Sequence, residues 1–436
     1  MMASIVNGVL PLIMTAYLFY FRRDRGLNSL LLMALFLSYF AYATNYQNYG
    51  LDFDLYRNLH KFIGVLAVIG LAHHLYKNNL TSLKNSVCYL LLMFLLAIGA
   101  SYFGNDLHMS HYLHYGRNFL FIFLLVLFIY LKLDTNKKVD ELLQFIVELV
   151  LILSVFTIIQ AISNMSFFGV RTQLFYSNPN YFALTLMLGF SVILFVKTEF
   201  KVMKLGLVAF AIFLTYSDAV FFCIAIILLL YAFKNRGSIS TEKFFVALLV
   251  IIVASGFLFH QRLAVHHLRI ADIFHNEVRI DLIKVAINVY SDNLVNGIGY
   301  GQFRTQYYKY VDDAELKNVE LNIAVMSNDV NLTDLHIKNY PGMPTRNMEK
   351  MTHNDLIKII AELGSIGVVF LLFYFYKLYF ELRELFSNNQ EYFYISLSLL
   401  IGSLTFSLLH NNITSFVFWF ILFIPFIINR NYEKIT

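Results

Sequence analysis

The chain has 436 residues, of which 58% are hydrophobic and only 14% charged, against about 45–50% and about 25% in soluble domains. Aromatic residues reach 17%, and Lys and Arg exceed Asp and Glu to give a formal net charge of +5. A water-soluble globule has no interior large enough for that much apolar surface, so soluble, disordered and collagen-like classes are excluded, and a polytopic membrane protein is expected.

A spanning helix needs about 20 apolar residues. Apolar runs of that order fall near 5–21, 27–44, 59–76, 86–103, 117–133, 141–163 and 181–196. More follow near 203–216, 219–233, 244–259, 361–380, 392–409 and 413–428. The pair 203–216 and 219–233 is short and reads as a hairpin with Asp218 at its turn. The expected fold is an all-α polytopic membrane protein of about 12–13 transmembrane helices with one large, partly helical exoplasmic loop. Residues 1–259 form a helix bundle, 260–355 the loop, and 356–436 the helices that complete the bundle. Cys88 and Cys223 lie in apolar runs and read as small buried hydrophobes. Arg22, Arg23 and Arg25 follow the first apolar run instead of preceding it, so a cleavable signal peptide is not expected.

Lys and Arg set the orientation. Alternate connections hold Arg22, Arg23, Arg25; Lys77, Lys84; Lys132, Lys137, Lys138; Lys197, Lys201, Lys204; Lys234, Arg236, Lys243; Lys377, Arg383; and Arg430, Lys434. The intervening short connections hold only Arg57, Lys61, Arg117 and Arg171. The first set is therefore expected on the cytoplasmic side, and the second set with the long segment 260–355 on the exoplasmic side, placing the N-terminus outside and the C-terminus inside. A connection that long is far beyond the 2–8 residues usual between bundle helices, which makes it the expected place for chemistry. Within it, Val278–Tyr290 reads as an amphipathic helix with Ile280, Ile283, Ala286, Ile287 and Tyr290 on one face, and a second helix is expected over Gly301–Tyr310.

The motifs follow in chain order. His108, His111 and His114 recur every three residues, a spacing that converges poorly on one metal ion and suits an interfacial His/Tyr belt. Glu148 and Asp218 are the conspicuous carboxylates of the spans. Arg171–Tyr181 reads R-T-Q-L-F-Y-S-N-P-N-Y, where Pro179 suits a first helical turn. Asn293–Gly301 reads N-L-V-N-G-I-G-Y-G, either a helix–helix turn or a tight loop whose following helix N-terminus can face an anion. No strand precedes it, so it is not a dinucleotide fingerprint. Met351–Gly367 reads M-T-H-N-D-L-I-K-I-I-A-E-L-G-S-I-G. Thr352 or Asn354 can cap a helix entering the next span, which puts His353 at the membrane boundary, and Gly364 and Gly367 are small residues for close helix contact.

Taken in order, Ser177-Asn178-Pro179-Asn180, Arg279 with Asn296–Gly301, and Thr352-His353-Asn354 with Glu362–Gly367 resemble the O-antigen ligase and O-antigen polymerase superfamily of bacterial envelope glycan assembly. The resemblance covers roughly residues 165–409. One departure stands out: the family often has Ser-Arg followed by small residues at the outer turn of the hairpin, where this chain has Ser217-Asp218-Ala219. The resemblance implies metal-independent, inverting glycosyl transfer from an undecaprenyl-diphosphate-linked oligosaccharide at the periplasmic face of the inner membrane, with no cofactor.

The residues are compatible with that chemistry on their own terms. Nucleotide sugars are absent outside the cytoplasmic membrane, so a lipid diphosphate is the available leaving group. The loop holds no D-x-D pair for a metal, and guanidinium suits diphosphate charge, with Arg279 the first candidate, Arg171 the second and Arg304 the third. His353 is the candidate base for a sugar hydroxyl, with Asn354 beside it as a substrate-binding candidate. Tyr300, Tyr307, Tyr308 and Tyr310 are candidates either for saccharide stacking or for interfacial packing. The expected activity is a polymerase that moves glycan onto a lipid-linked repeat unit. The alternatives are a ligase acting on lipid A-core and, in another class, a lipid-linked oligosaccharide flippase. Expected partners are the lipid-linked oligosaccharide, membrane lipid and a candidate chain-length regulator, with no nucleic acid.

Overall fold

The structure, a computed structural model, describes residues 86–103, 109–133, 135–163, 172, 174, 179–235, 277–310, 354–410 and 416–433. The expected spans near 5–21, 27–44, 59–76 and 244–259, and the greater part of the expected loop, lie outside the described residues.

Apolar content decides the elements. They are α1 (Ser86–Ala100), α2 (Met109–Lys132), α3 (Asn136–Ser163), α4 (Pro179–Phe195), α5 (Lys201–Thr215) and α6 (Asp218–Lys234), followed by α7 (Glu277–Asp292) and α8 (Phe303–Gln306). A 3-10 turn at Tyr307–Tyr310, α9 (Asp355–Asn388), α10 (Gln390–Ser407) and α11 (Phe416–Glu433) complete the set. The chain is an all-α membrane protein: α3, α9 and α10 are each long and apolar enough to cross a bilayer, and α1, α2, α4, α6 and α11 hold shorter apolar stretches.

The helices pack chiefly as neighbours: α3, α4 and α5 on one another, α10 against α6, α4 and α9, and α9 against α1, α7 and α11. Small residues permit the closest approaches. Gly402 of α10 faces Met187 and Ile227, and Cys223 Sγ donates to Gly402 O at 3.3 Å, so Cys223 is buried as its apolar surroundings suggested. The only Trp of the chain, Trp419, is buried, with its ring centroid 4.8 Å from Phe94 and 5.2 Å from Phe119. Pro425 inside α11 removes a helix donor, and Tyr374 donates its hydroxyl to Leu422 O nearby at 2.8 Å.

Contacts sort the connections into two ends. At one, Arg430 bonds Tyr130 O, Tyr392 bonds Asp140, and Lys234 lies over Phe195 and Tyr394. At the other, Tyr300 meets Ser101, Asn296 meets Phe103, and Ser365 meets Leu294. The basic connections represented among the described residues gather at the first end, and the glycine-rich segment at the second.

Two local expectations are corrected. The buried face of α7 is Leu282, Val285, Ala286 and Val289, a helical stripe packed with Ile298, Phe303 and Ala361, whereas Ile287 is 54% exposed. The rotation follows the glycine-rich segment, which folds back over that stripe. The second helix in the loop is only the single turn α8, tightened to 3-10 geometry over Tyr307–Tyr310.

Candidate active site: a glycine loop clasped onto a broken helix

Helix α9 contains one residue that is not helical. Gly364 has φ 60° and ψ −147°, a backbone region essentially restricted to glycine. A break of this kind leaves carbonyls before it and amides after it without helical partners. The segment 294–299 supplies them. Ile298 N donates to Ala361 O at 3.1 Å and Gly299 N to Glu362 O at 3.0 Å. Beyond the break, Ser365 N donates to Leu294 O at 2.7 Å and Ile366 N to Val295 O at 3.4 Å. The Ser365 hydroxyl adds a second bond to Leu294 O at 2.7 Å and lies 3.3 Å from the Tyr290 hydroxyl at the end of α7.

Two backbones come so close here that only glycine fits on either side. A Cβ on Gly297 would lie 2.4 Å from Glu362 C and 2.6 Å from Gly364 N. A Cβ on Gly364 would lie 2.5 Å from both Gly297 N and Val295 O. The expectation that Gly364 serves close helix–helix contact is thus refined: its partner is the loop, and its task is to break the helix. Gly367 sits one turn on, against Leu363 and Ile359 of the same helix.

Electrostatics complete the clasp. Glu362 is fully buried; its carboxylate accepts from Gly301 N at 2.9 Å and from Phe303 N, at the start of α8, at 3.2 Å. Lys358 Nζ, also buried and one turn earlier, lies 4.0 Å from Glu362 Oε1. A buried carboxylate requires such partners, because desolvation alone would cost several kcal/mol. Asp355, buried as well, precedes Lys358 on the same face of α9.

This geometry decides between the two readings of Asn293–Gly301. Five consecutive amides, Gly297 to Gly301, donate to Asn293 O, Ala361 O, Glu362 O, Ser101 Oγ and Glu362 Oε2. The anion that the loop faces is therefore the protein's own Glu362, and the segment works as a structural clasp.

The bundle anchors the clasp. Tyr300 N donates to Ser101 Oγ at 3.1 Å and Asn296 Nδ2 to Phe103 O at 3.0 Å, both at the end of α1. The Tyr300 ring is 2% exposed, edge-on to Phe94 at 5.8 Å and to Phe119 at 6.4 Å. It is an apolar anchor with no open face for a saccharide. The Tyr310 hydroxyl accepts from Asn293 Nδ2 at 3.0 Å, which ties the 3-10 turn to the end of α7.

The other candidates are placed unequally. Asn354 caps α9, its side chain accepting from Ile357 N at 3.1 Å, and is buried. Arg279 lies in the first turn of α7 and Arg304 in α8, with neither side chain among those described. His353 and Arg171 lie outside the described residues, each next to a described one. Thr172 donates both N and Oγ1 to Leu214 O, at 3.0 and 2.8 Å, so Thr172 itself is docked at the end of α5. That is the hairpin tip bearing Ser217-Asp218-Ala219, where Ser217 is buried and Asp218 opens α6.

Sequence reasoning assigned no task to Lys358, Glu362 or Ser101. The signal for the first two was present: Asp355, Lys358 and Glu362 fall at i, i+3 and i+7, three charges on one face of an otherwise apolar helix beside a glycine. Ser101 carried no such mark.

The Asn354 cap yields a modest prediction. Asn354→Ala is expected to cost about 1 kcal/mol, and Asn354→Asp to cost less, since aspartate can accept the same Ile357 N–H. Thermal unfolding of the purified protein in detergent reads the difference; equal midpoints for wild type and Asn354→Ala would contradict the cap.

Residues 202–372 match the family described as O-antigen ligase. The matched segment runs from α5 into α9 and takes in the hairpin, α7, the glycine-rich loop and the helix break. No curated protein matches the chain.

Proposed function

We propose that this chain, which belongs to the O-antigen ligase and polymerase superfamily, is a surface-polysaccharide polymerase of the bacterial inner membrane. It transfers glycan from undecaprenyl diphosphate onto a lipid-linked repeat unit at the periplasmic face. The observation that carries the reading is the clasp. It fastens the helix bearing Arg279 and the helix capped by Asn354, which follows His353, to one rigid platform at the end of the bundle opposite the basic connections.

The reaction is a displacement at the anomeric carbon. The acceptor hydroxyl oxygen forms the new glycosidic bond while the bond from the anomeric carbon to the phosphate oxygen breaks. The electron pair leaves with the lipid diphosphate, and the hydroxyl proton passes to His353. Attack opposite the leaving group inverts the centre. Arg279 holds the diphosphate by bidentate contact, which a guanidinium makes and an ammonium does not. Arg171 adds the second positive charge, in keeping with Thr172 docked at the hairpin tip where the family often carries a basic residue. Arg304 extends the cationic surface from α8. In this reading arginine supplies the charge that a metal supplies elsewhere, and no cofactor takes part.

A ligase that delivers finished glycan to lipid A-core is the second reading, favoured by the name of the matched family. The surface-glycan profile of a deletion strain on a gel separates them. Polymerase function predicts core carrying a single repeat unit. Bare core with polymer accumulating on the lipid would assign the ligase reaction, and lipid-linked units trapped inside would overturn both in favour of a flippase. A chain-length regulator is a candidate partner of the polymerase, read out by a changed ladder when both are co-expressed.

A further inference from the structure

At the end of the bundle opposite the clasp, lysines gather where α4 turns into α5 and where α6 ends. Lys234 Nζ lies 5.3 Å from the Phe195 ring centroid and 5.2 Å from that of Tyr394, two rings stacked 6.0 Å apart at an interplanar angle of 8°. Lys201 Nζ lies 5.6 Å from the Tyr231 ring, which itself packs against Phe195. Lys204 Nζ donates to Thr198 Oγ1 at 2.6 Å. Two ammonium groups from two helices thus lie over one group of aromatic rings, and a third, Lys204, is tied to the same α4–α5 turn through Thr198.

A lysine that only biases topology extends its ammonium into water. Lys201 and Lys234 are instead half-buried, and each opposes a like charge: burial and then the charge of Lys234 hold Lys201 below the usual lysine range. Burial also lowers Lys234, with Glu391 at the start of α10 opposing that shift and Lys197 adding to it. Among the described residues Lys234 has no hydrogen-bond acceptor, and Lys201 reaches only Val196 O at 3.4 Å. Among the described residues, Glu391 is the carboxylate whose charge acts on both Lys201 and Lys234, and Glu199, exposed in the α4–α5 turn, is a second acidic residue beside Lys197, Lys201, Lys204 and Lys234. The balance calls for an anion.

The neighbouring side chains say what kind. The chain turns into α5 through Phe200, in the left-handed region at φ 51°, and Phe200, Val202 and Met203 are 71%, 85% and 67% exposed. Apolar side chains beside half-buried ammonium groups match an amphiphile with an anionic head. We propose that Lys201, Lys204 and Lys234 bind the phosphodiester headgroup of an anionic glycerophospholipid, whose acyl chains lie against Phe200, Val202 and Met203. The site is independent of glycan transfer and lies at the opposite end of the bundle.

Full-length protein in detergent tests this by native mass spectrometry and thermal unfolding, titrated separately with phosphatidylglycerol, phosphatidylcholine and inorganic phosphate. Phosphatidylglycerol is expected to be retained and to raise the unfolding midpoint, and the other two are not. The double variant Lys201→Gln/Lys234→Gln is expected to weaken phosphatidylglycerol binding roughly thirty-fold. Lys137→Gln, an exposed lysine at the same end, should leave it unchanged. Lys234→Arg keeps both charge and ring contact and should retain binding. Undiminished binding in the double variant, or loss of binding in a normally folded Lys234→Arg, would overturn the site. An equal response to phosphatidylcholine would overturn the role of charge, and an equal response to inorganic phosphate would overturn the lipid.

Discussion

Gly364→Ala is expected to abolish glycan transfer and to lower the unfolding midpoint of the purified protein by several degrees. The added Cβ meets backbone on both contacts, Gly297 N and Val295 O at 2.5 Å, so no side-chain rotation can relieve it. The backbone conformation at φ 60° and ψ −147° adds about 1–3 kcal/mol of strain for any residue but glycine. Relief requires the loop to lift off the helix, which uncovers Ala361 O, Glu362 O and the amides of Ser365 and Ile366, and draws Gly301 N and Phe303 N away from the buried Glu362. Each exposed or unpaired group adds about 1–3 kcal/mol. The total places this among the most damaging single substitutions. Gly297→Ala should behave alike, because it presses on the same contact from the other side. Gly206→Ala is the control: nothing lies within 4 Å of its added Cβ and it is helical, so its stability should be unchanged or slightly raised. A Gly364→Ala protein with wild-type midpoint and activity would show that the clasp is dispensable.

His353→Ala and Arg279→Ala are each expected to eliminate detectable transfer while leaving membrane insertion and the unfolding midpoint intact. Removing a general base typically costs about 10²–10⁴ in rate, and a buried bidentate contact to a diphosphate costs comparably. Arg279→Lys should remain impaired, because an ammonium restores charge without the paired geometry. The contrast with Gly364→Ala separates chemistry from architecture: the glycine variant loses stability and activity together, and the two site variants lose activity alone. A normal chain-length ladder from either site variant would remove that residue from the mechanism, and activity in Arg279→Lys equal to wild type would leave Arg279 a structural role only.

The helices that sequence reads well are those whose own residues decide them. The apolar runs at 141–163 and 392–409 became α3 and α10, because an unbroken stretch of about 20 apolar residues has few alternatives in a membrane. Asn354 was legible as a cap because capping is local. α9 overran its expected end at 380 and reached Asn388, where Leu385 is buried and Glu381 and Glu384 accept from Asn429 of α11. Those partners lie more than forty residues away and leave no local mark. The face of α7 was misjudged for a related reason. Ile287 and Leu282 are equally apolar, and only the returning loop, through Ile298 and Phe303, selects the stripe that is buried.

The candidate site divides along the same line. Its motif segments were visible as glycines and charges, but their pairing was not, since Gly301 and Glu362 are joined by a bond across 61 residues. The glycine-rich stretch carries the same letters whether it cradles an external phosphate or a carboxylate of its own protein. Only the destination of its amides tells the two apart.

The most direct test of the account is reconstitution. Purified wild-type protein in liposomes is supplied with undecaprenyl-diphosphate-linked repeat units and a chelator, and the products are resolved by size and anomeric configuration. The account predicts a ladder of lipid-linked multiples joined by an inverted linkage, absent with His353→Ala. Lipid-linked units that cross the bilayer or are bound while no new glycosidic bond forms would contradict it.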